Sequence, residues 1–251
     1  MPELLGPGSP GRTRPPIDRI GVTVLNELVR SIVTAEYAAG DILPPEAVLS
    51  TEFGVSRTVI RETMKRLQEK GMITVVQGRG THVLPSTNWN VLDPLVLATM
   101  IGNDSTLGVL DDLSVVRGSL EAAMAAAAAG AVTDEARAQL AERLEVMAEL
   151  IEDSTAFRDA DVQFHLAVME LSDNTLAENI ARTLIAHAVG SERYTGLDPA
   201  HAFELTLTEH EQIVEAISAG DREAARIAMS EHILNSWQRR RLPSAKRRSR
   251  R

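Results

Sequence analysis

The sequence predicts a mainly α-helical chain in two parts, an N-terminal winged helix-turn-helix and a C-terminal all-α bundle. Three observations predict it. Two short apolar-periodic segments flank a glycine turn between Glu46 and Lys70. Two β-branched runs then face each other across Gln77-Gly78-Arg79-Gly80, the pattern of a hairpin. From Leu92 onward helical periodicity returns and no strand pattern follows.

Each element has its own local reasons. Residues 1–16 are rich in Pro, Gly and Arg and read as a floppy tail. Ile17–Tyr37 places Ile20, Val24, Leu25, Leu28, Ile32 and Val33 at helical spacing, with Gly40 as the expected stop. Pro44-Pro45 opens a short helix over Glu46–Phe53, proline being tolerated in a first turn. Gly54 ends it. Ser56 is a good N-cap for Arg57–Lys70, whose apolar face is Val59, Ile60, Met64 and Leu67. Met72–Val76 and Thr81–Leu84 form the hairpin, giving a DNA-binding unit over 17–84. Pro85–Asn90 is polar and reads as a linker, and 85–105 as linker plus connecting helix. The bundle spans 106–238, with helices expected near 93–101, 106–130, 133–152, 155–172, 174–194, 199–218 and 221–238. Gly130 and Gly220 suit helix ends; Thr133, Ser154, Asn174 and Asp198 suit starts. From about Gln238 the chain is a basic tail that reads as disordered, 239–251 lying outside the bundle.

Composition narrows the function classes. Of 251 residues, 44% are apolar and 24% charged, enough for packed cores. There is no cysteine, which excludes disulfides and thiolate metal sites and fits a reducing compartment. No apolar run reaches the ~18 residues of a membrane span. A signal peptide's apolar stretch is missing at the N-terminus, so a cytoplasmic location with no membrane partner is expected. The net charge of −9 is unevenly divided. Residues 17–84 hold 8 basic and 8 acidic side chains, 86–237 hold 8 and 26, and 238–251 hold 8 and none. The acid therefore sits in the second part, while Arg57, Arg61, Lys65, Arg66, Lys70 and Arg79 give the first a local positive face.

A recognition helix starting at Ser56 would enter a major groove by its N-terminal end. Arg57 and Arg61 share one face and can grip guanine or phosphate, and Ser56 and Thr58 can reach phosphate oxygens. At the wing, beside Gln77, Gly78 and Gly80 permit close backbone approach and Arg79 suits a negative minor groove. The alternative is a surface helix with solvated charges and an incidental hairpin. In the bundle, Asp161 and His165 are four apart on one helix face, a good geometry for two ligands of one metal. His210 and His232 lie on the last two predicted helices among apolar neighbours, whereas His82, His187 and His201 fit less well. Spacing alone leaves a metal site and a set of hydrogen-bonded, half-buried histidines as equal readings. Arg117 is likewise open between a pocket-facing fork and an i,i+4 ion pair with Glu121. Arg193 and Tyr194 are weaker pocket candidates.

Several blocks resemble the GntR family's N-terminal domain in the right order: Gly40-Asp41-Ile42-Leu43-Pro44-Pro45-Glu46, Phe53 through Glu62, Leu67, Gly71-Met72-Ile73 and Gly78 through Val83. That resemblance implies that Arg57, Thr58, Arg61 and Gly78 contact DNA. One departure stands out: the family often has arginine after the Leu-Pro-x-Glu glutamate, where this chain has Ala47. Asp161-Val162-Gln163-Phe164-His165 with Asn174 resembles the Asp-x-x-Phe-His…Asn signature of the FCD ligand-binding domain of the FadR subfamily. Glu209-His210-x-x-Ile213 and Glu231-His232-Ile233 match its last two ligand helices. The resemblance implies a divalent metal on Asp161, His165, His210 and His232, with Arg117 facing an effector. The donor set suits Zn²⁺ best, with Ni²⁺ or Mn²⁺ as alternatives. Asn88-Trp89-Asn90-Val91-Leu92-Asp93 resembles galactonate-type sugar-acid regulators of that subfamily.

The expectation is thus a homodimeric repressor that binds a pseudo-palindromic operator in double-stranded DNA under control of a small carboxylate or sugar acid. Two rivals are carried forward: a DNA-binding protein whose metal and bundle are purely structural, and a metal-dependent hydrolase or lyase. Nothing in the sequence supplies a clear general base for the last.

Overall fold

The apolar stripes of the sequence are the faces that fold inward. The computed structural model describes residues 17–191, 198–199 and 201–241. It divides into two compact units, Met1–Val96 and Leu97–Arg251, with the division falling inside a helix.

In the first unit, α1 (Ile17–Val33) buries Val24, Leu25, Leu28, Val29 and Ile32 and packs on α3 (Arg57–Glu69). Helix α1 stops short of the expected Tyr37. Ala35 takes a left-handed conformation at φ +58°, and the Tyr37 N–H donates to the Ser31 carbonyl, so the stop assigned to Gly40 is made earlier. Arg30, bound to both Glu27 and Glu36, ties that end down. Gly40, at φ +94°, instead turns the chain into a bridge between Ile42 and His82 at the edge of the wing. Helix α2 (Glu46–Glu52) leads through Gly54, at φ +64°, to Ser56. The Ser50 hydroxyl donates to the Val55 carbonyl at 2.5 Å and fixes this turn. Ser56 accepts the Val59 N–H as N-cap, and α3 buries Ile60, Thr63, Met64 and Leu67. Strands β1 (Ile73–Val76) and β2 (Gly80–Val83) pair antiparallel, Ile73 opposite Val83 and Val76 opposite Gly80.

The segment expected to be a plain linker is bonded to the end of α3. It opens with a short 3-10 turn, Ser86–Asn88. The Asn90 N–H donates to the Lys70 carbonyl, the Trp89 indole to the Leu84 carbonyl, and Lys70 pairs with Asp93. A Cβ at Gly71 would stand 2.2 Å from the Asn88 carbonyl oxygen, so only glycine lets the segment lie this close. Asp93 in turn accepts the Leu95 and Val96 N–H groups at the start of α4 (Pro94–Asn103).

The second unit is a bundle of α5 (Gly108–Gly130), α6 (Asp134–Glu149), α7 (Ser154–Glu170), α8 (Thr175–Val189), α9 (Ala202–Ser218) and α10 (Arg222–Arg241). Helix α5 is central, packed by α7, α8, α9 and most extensively α10. Buried Ala122, Ala125, Ala128 and Ala129 explain how so many neighbours approach it. Thr133 and Asn174 cap helices as expected, and Gly220 closes α9 at φ +71°. Several boundaries differ, among them the end of α8, which stops at Val189 rather than near residue 194. Asp153, not Ser154, caps α7, accepting the Thr155 and Ala156 N–H groups, because a carboxylate is the stronger acceptor at a helix start. Helix α9 begins at Ala202, and Asp198 spends its carboxylate on Arg158 and Arg240 instead of a cap. Helix α10 continues through Arg241 rather than fraying near Gln238, because each terminal arginine has an acid: Arg239 on Glu209, Arg240 on Asp198, Arg241 on Asp111. The tail 1–16, Arg193, Tyr194 and 242–251 lie outside the described residues. No helix among the described residues is long and apolar enough to cross a membrane.

Candidate metal centre and nucleic-acid interface

One turn of α7 presents Asp161 and His165 on the same face, α9 brings His210 and α10 brings His232. One ligand atom from each lies within 4.8 Å of all the others. The His210 Nε2 and His232 Nε2 are 3.1 Å apart, and the His232 Nε2 and His165 Nε2 are 3.2 Å apart. Asp161 Oδ1 is 3.4 Å from His210 Nε2 and 3.8 Å from His165 Nε2. All three rings are buried, and Asp161 is half-buried. Phe164, between Asp161 and His165 in sequence, turns to the core and stacks on the His210 ring at 4.0 Å.

The opposite nitrogen of each ring has a close neighbour, although His165 Nδ1 and Glu121 Oε2 approach without an aligned hydrogen bond. His165 Nδ1 lies 2.7 Å from Glu121 Oε2, His232 Nδ1 lies 2.8 Å from Glu209 Oε2, and His210 Nδ1 is 3.4 Å from the Met147 sulfur. Burial alone would push Glu121 and Glu209 up. The charge of Arg117 holds Glu121 at about 2, and hydrogen bonds from Arg239 and His232 hold Glu209 at about 2. An ionised carboxylate only accepts, so the His232 Nδ1 carries its ring proton toward Glu209 and its Nε2 presents a lone pair. Burial also holds His210 well below, and His232 below, the ordinary histidine value of 6.5, so these rings are neutral at neutral pH. The Nε2 atoms of His210 and His165 each stand within hydrogen-bond distance of the His232 Nε2, and all three turn toward one point. The buried Asp161 Oδ1, which accepts no hydrogen bond, faces the same point. The donor set therefore fits a divalent metal.

The sequence singled out these four residues but not what supports them. Glu121, Glu209 and Met147 sit beside His165, His232 and His210 through tertiary packing, and Arg239 stands behind Glu209; the one local sign was Glu209 next to His210 in sequence. Arg117, expected to face an effector, is buried on α5 and its Nε donates to Glu121 Oε1 at 2.8 Å. This is the i,i+4 pair given as its alternative, and it places Arg117 in direct support of Glu121 and, through it, His165.

In the first unit the candidate nucleic-acid residues are all exposed: Arg57, Thr58 and Arg61 on the first two turns of α3, and Gln77, Gly78 and Arg79 at the wing tip. Ser56, also exposed, already accepts the Val59 N–H at 3.4 Å, so its hydroxyl is left to donate outward. Arg61 is 74% exposed and lies 3.6 Å from Glu46. Gly78, at φ +74°, makes the wing turn. Ala47, on the first turn of α2, is exposed but offers no polar group.

Residues 21–83 match bacterial regulatory proteins of the gntR family, and residues 112–235 match the FCD domain. Over 224 residues the chain is 35% identical to the galactonate operon transcriptional repressor of Escherichia coli (strain K12), covering 88% of this chain and 95% of that one. The HTH-type transcriptional regulator YieP of the same organism, itself uncharacterized, is 33% identical over 82% of this chain and 89% of its own length. Among solved structures, that of Lar, which controls expression of the Listeria monocytogenes agr system, superposes with a TM-score of 0.55 at 21% identity, over 88% of this chain and 95% of Lar; this likeness concerns the fold.

Proposed function

This chain belongs to the gntR family of bacterial transcription regulators and carries an FCD domain, and from that premise we propose that it is a homodimeric repressor whose hold on DNA is set by a small organic acid bound at a metal. A metal-dependent enzyme is not this family's chemistry. The observation that carries the reading is the convergence of three imidazole nitrogens and Asp161 Oδ1 on one buried point, each ring backed by a second partner.

At the DNA end, α3 enters the major groove by its N-terminus. Arg57 and Arg61 grip base edges or phosphate, Ser56 and Thr58 hold phosphate oxygens, and Gln77, Gly78 and Arg79 follow the minor groove. Because Ala47 supplies no contact, Arg57 and Arg61 do more of the reading. Two such helices in a dimer match a pseudo-palindromic operator. A protein with this task works in the cytoplasm.

At the sensing end, Asp161, His165, His210 and His232 hold the ion, Zn²⁺ first by donor type, with Ni²⁺ and Mn²⁺ as alternatives. When bound, it supplies a positive centre for a carboxylate. Glu121 and Glu209 fix the ring orientation of His165 and His232. Arg117 holds Glu121 and offers a guanidinium fork toward the same acid. The similarity to a galactonate operon repressor favours a sugar acid as the effector class.

The test is a thermal-shift screen of sugar acids with Zn²⁺ and with chelator, paired with gel shifts on the DNA flanking the gene. A hit that needs metal and alters DNA affinity supports the reading; no hit from any acid sinks it. The complete burial of the three histidines favours a second reading, a purely structural metal. Arg117→Ala separates the two: lost acid response with intact metal binding supports sensing, and an unchanged response supports the structural role.

A further inference from the structure

A surface helix ordinarily keeps charge on its outer face, and α5 does not. From Leu113 to Gly130 its charged residues are Arg117 and Glu121, both buried and paired with each other. Toward solvent it presents Val115 at 57% exposure, Val116 at 46%, Ser119 and Ala123. The Ser119 hydroxyl donates back to the Val115 carbonyl at 2.9 Å, so the polar side chain of this face is satisfied within the helix. Helix α6 is the contrast: its outer face carries Asp134, Glu135, Glu142, Glu145 and Glu149.

Helix α10 widens the strip. A Cβ at Gly118 would touch Leu234 Cγ at 3.9 Å, and one at Gly130 would meet the Arg222 side chain, so the two helices lie side by side and antiparallel. Ile227 and Leu234 stand seven residues apart on one face of α10, and both are exposed. The 18 residues from Leu113 to Gly130 extend about 27 Å, and two helices side by side are about 20 Å across. Such a strip covers on the order of 500 Å², so two copies placed face to face bury about the 1,000 Å² that a specific interface needs.

Charge says which partner fits. Residues 86–237 hold 26 acidic and 8 basic side chains, so two such bodies repel each other except across an uncharged face. The strip ends in exposed charges of opposite sign, Asp112 on α5 and Arg226 on α10. With 118 beside 234 and 130 beside 222, Arg226 falls beside Ala126. A twofold axis near Ser119 therefore turns Asp112 of each copy toward Arg226 of the other and leaves the small side chains of Ser119 and Ala123 near the crossing.

We propose that this α5–α10 face is where two copies of the chain join. The proposal rests on the homodimer reading and deepens it by naming the surface. Glu121 and His232 are buried on the inner sides of the same two helices, so the interface stands one helix thickness from the metal site.

The test is sedimentation velocity of the full chain as wild type, Val115→Asp, Ser119→Arg and, on α6, Val146→Asp, with thermal melts to check folding. Val115, Ser119 and Val146 are all exposed, so each variant should melt as wild type does. Each strip variant puts an unpaired charge from both copies into an apolar interface and should weaken association by roughly 100-fold or more. Val146→Asp should leave association unchanged, because α6 packs on α7 and α9. The chain has no cysteine, so a single introduced thiol gives a second readout without disruption: Ser119→Cys copies should cross-link through a short bifunctional maleimide, and Val146→Cys copies should not. If a strip variant unfolds, this cross-link decides. A wild-type dimer that survives both strip variants, or whose Ser119→Cys form does not cross-link, overturns this inference alone. A wild type that sediments as a monomer overturns the homodimer reading, and this inference with it.

Discussion

The two functional regions are built on opposite rules. On the recognition helix and wing, every candidate side chain is exposed and its backbone is fixed by local devices: the Ser56 cap, the Ser50 hydroxyl on Val55, and glycines at positive φ. In the bundle, the ligands are buried and are fixed by one another and by carboxylates on other helices. A surface that must meet a solvated polyanion needs charges free to reach it, whereas a site that must hold a small ion needs donors whose orientation is settled beforehand. Mutations in the first region should therefore act singly and locally, and mutations in the second should spread through the network.

The sharpest way to break this contrast is His210→Ala. It removes a fully buried ligand and the partner of Phe164, so Zn²⁺ affinity should fall by more than the roughly 100-fold that loss of an outer partner can cost. DNA binding by the metal-free protein should be kept. Glu209→Gln leaves all four ligands but weakens the hold on the His232 ring, and Zn²⁺ titration should show a loss of about 10- to 100-fold. Arg57→Ala should cost operator affinity about 1–3 kcal/mol by fluorescence anisotropy, with Zn²⁺ affinity unchanged.

Acid should likewise separate the regions. His210 and His232 are held below 6.5 in the folded state, so their contribution is intact above 6.5 and is lost as pH falls from there through their folded values. Glu121 and Glu209, held at about 2, contribute fully above 4.5 and lose that contribution as pH falls toward 2. Bound Zn²⁺ and the melting temperature should therefore both decline from about pH 6.5 downward, while the metal-free affinity of the winged unit for DNA should be little changed between pH 8 and 7. Smallest is Ser56→Ala, which removes the cap of α3 and should lower stability by about 1 kcal/mol in denaturant melts, leaving Zn²⁺ affinity untouched.

The same contrast decides what the sequence made legible. Where structure is local, periodicity and punctuation were enough: α2, the Ser56 cap, α3 and the glycine hairpin all stand where the pattern predicts. The clustering of Asp161, His165, His210 and His232 was also visible, the first two through a single turn and the last two through family resemblance. Their supports were not, because Glu121 and Met147 reach the rings across gaps of 44 and 63 residues in sequence, and Arg239 reaches Glu209 across 30, separations that no local spacing encodes. The C-terminal end of α10 was missed for the same cause. Arg239, Arg240 and Arg241 look like the start of a tail until Glu209, Asp198 and Asp111 are seen opposite them. The linker looked free because its bonds to Lys70 and its fit over Gly71 are made by the end of a helix that the sequence places earlier.

The central claim is that the buried cluster controls the exposed one. It is tested most directly by operator anisotropy on the full chain with Zn²⁺, with and without a saturating sugar acid identified by thermal shift, in wild type and Asp161→Ala. The account predicts a change in DNA affinity of roughly 10-fold or more in wild type, within the usual range of coupling energies, and none in Asp161→Ala, both proteins binding DNA alike without the acid. An equal response in both proteins, or no response in wild type, would contradict it.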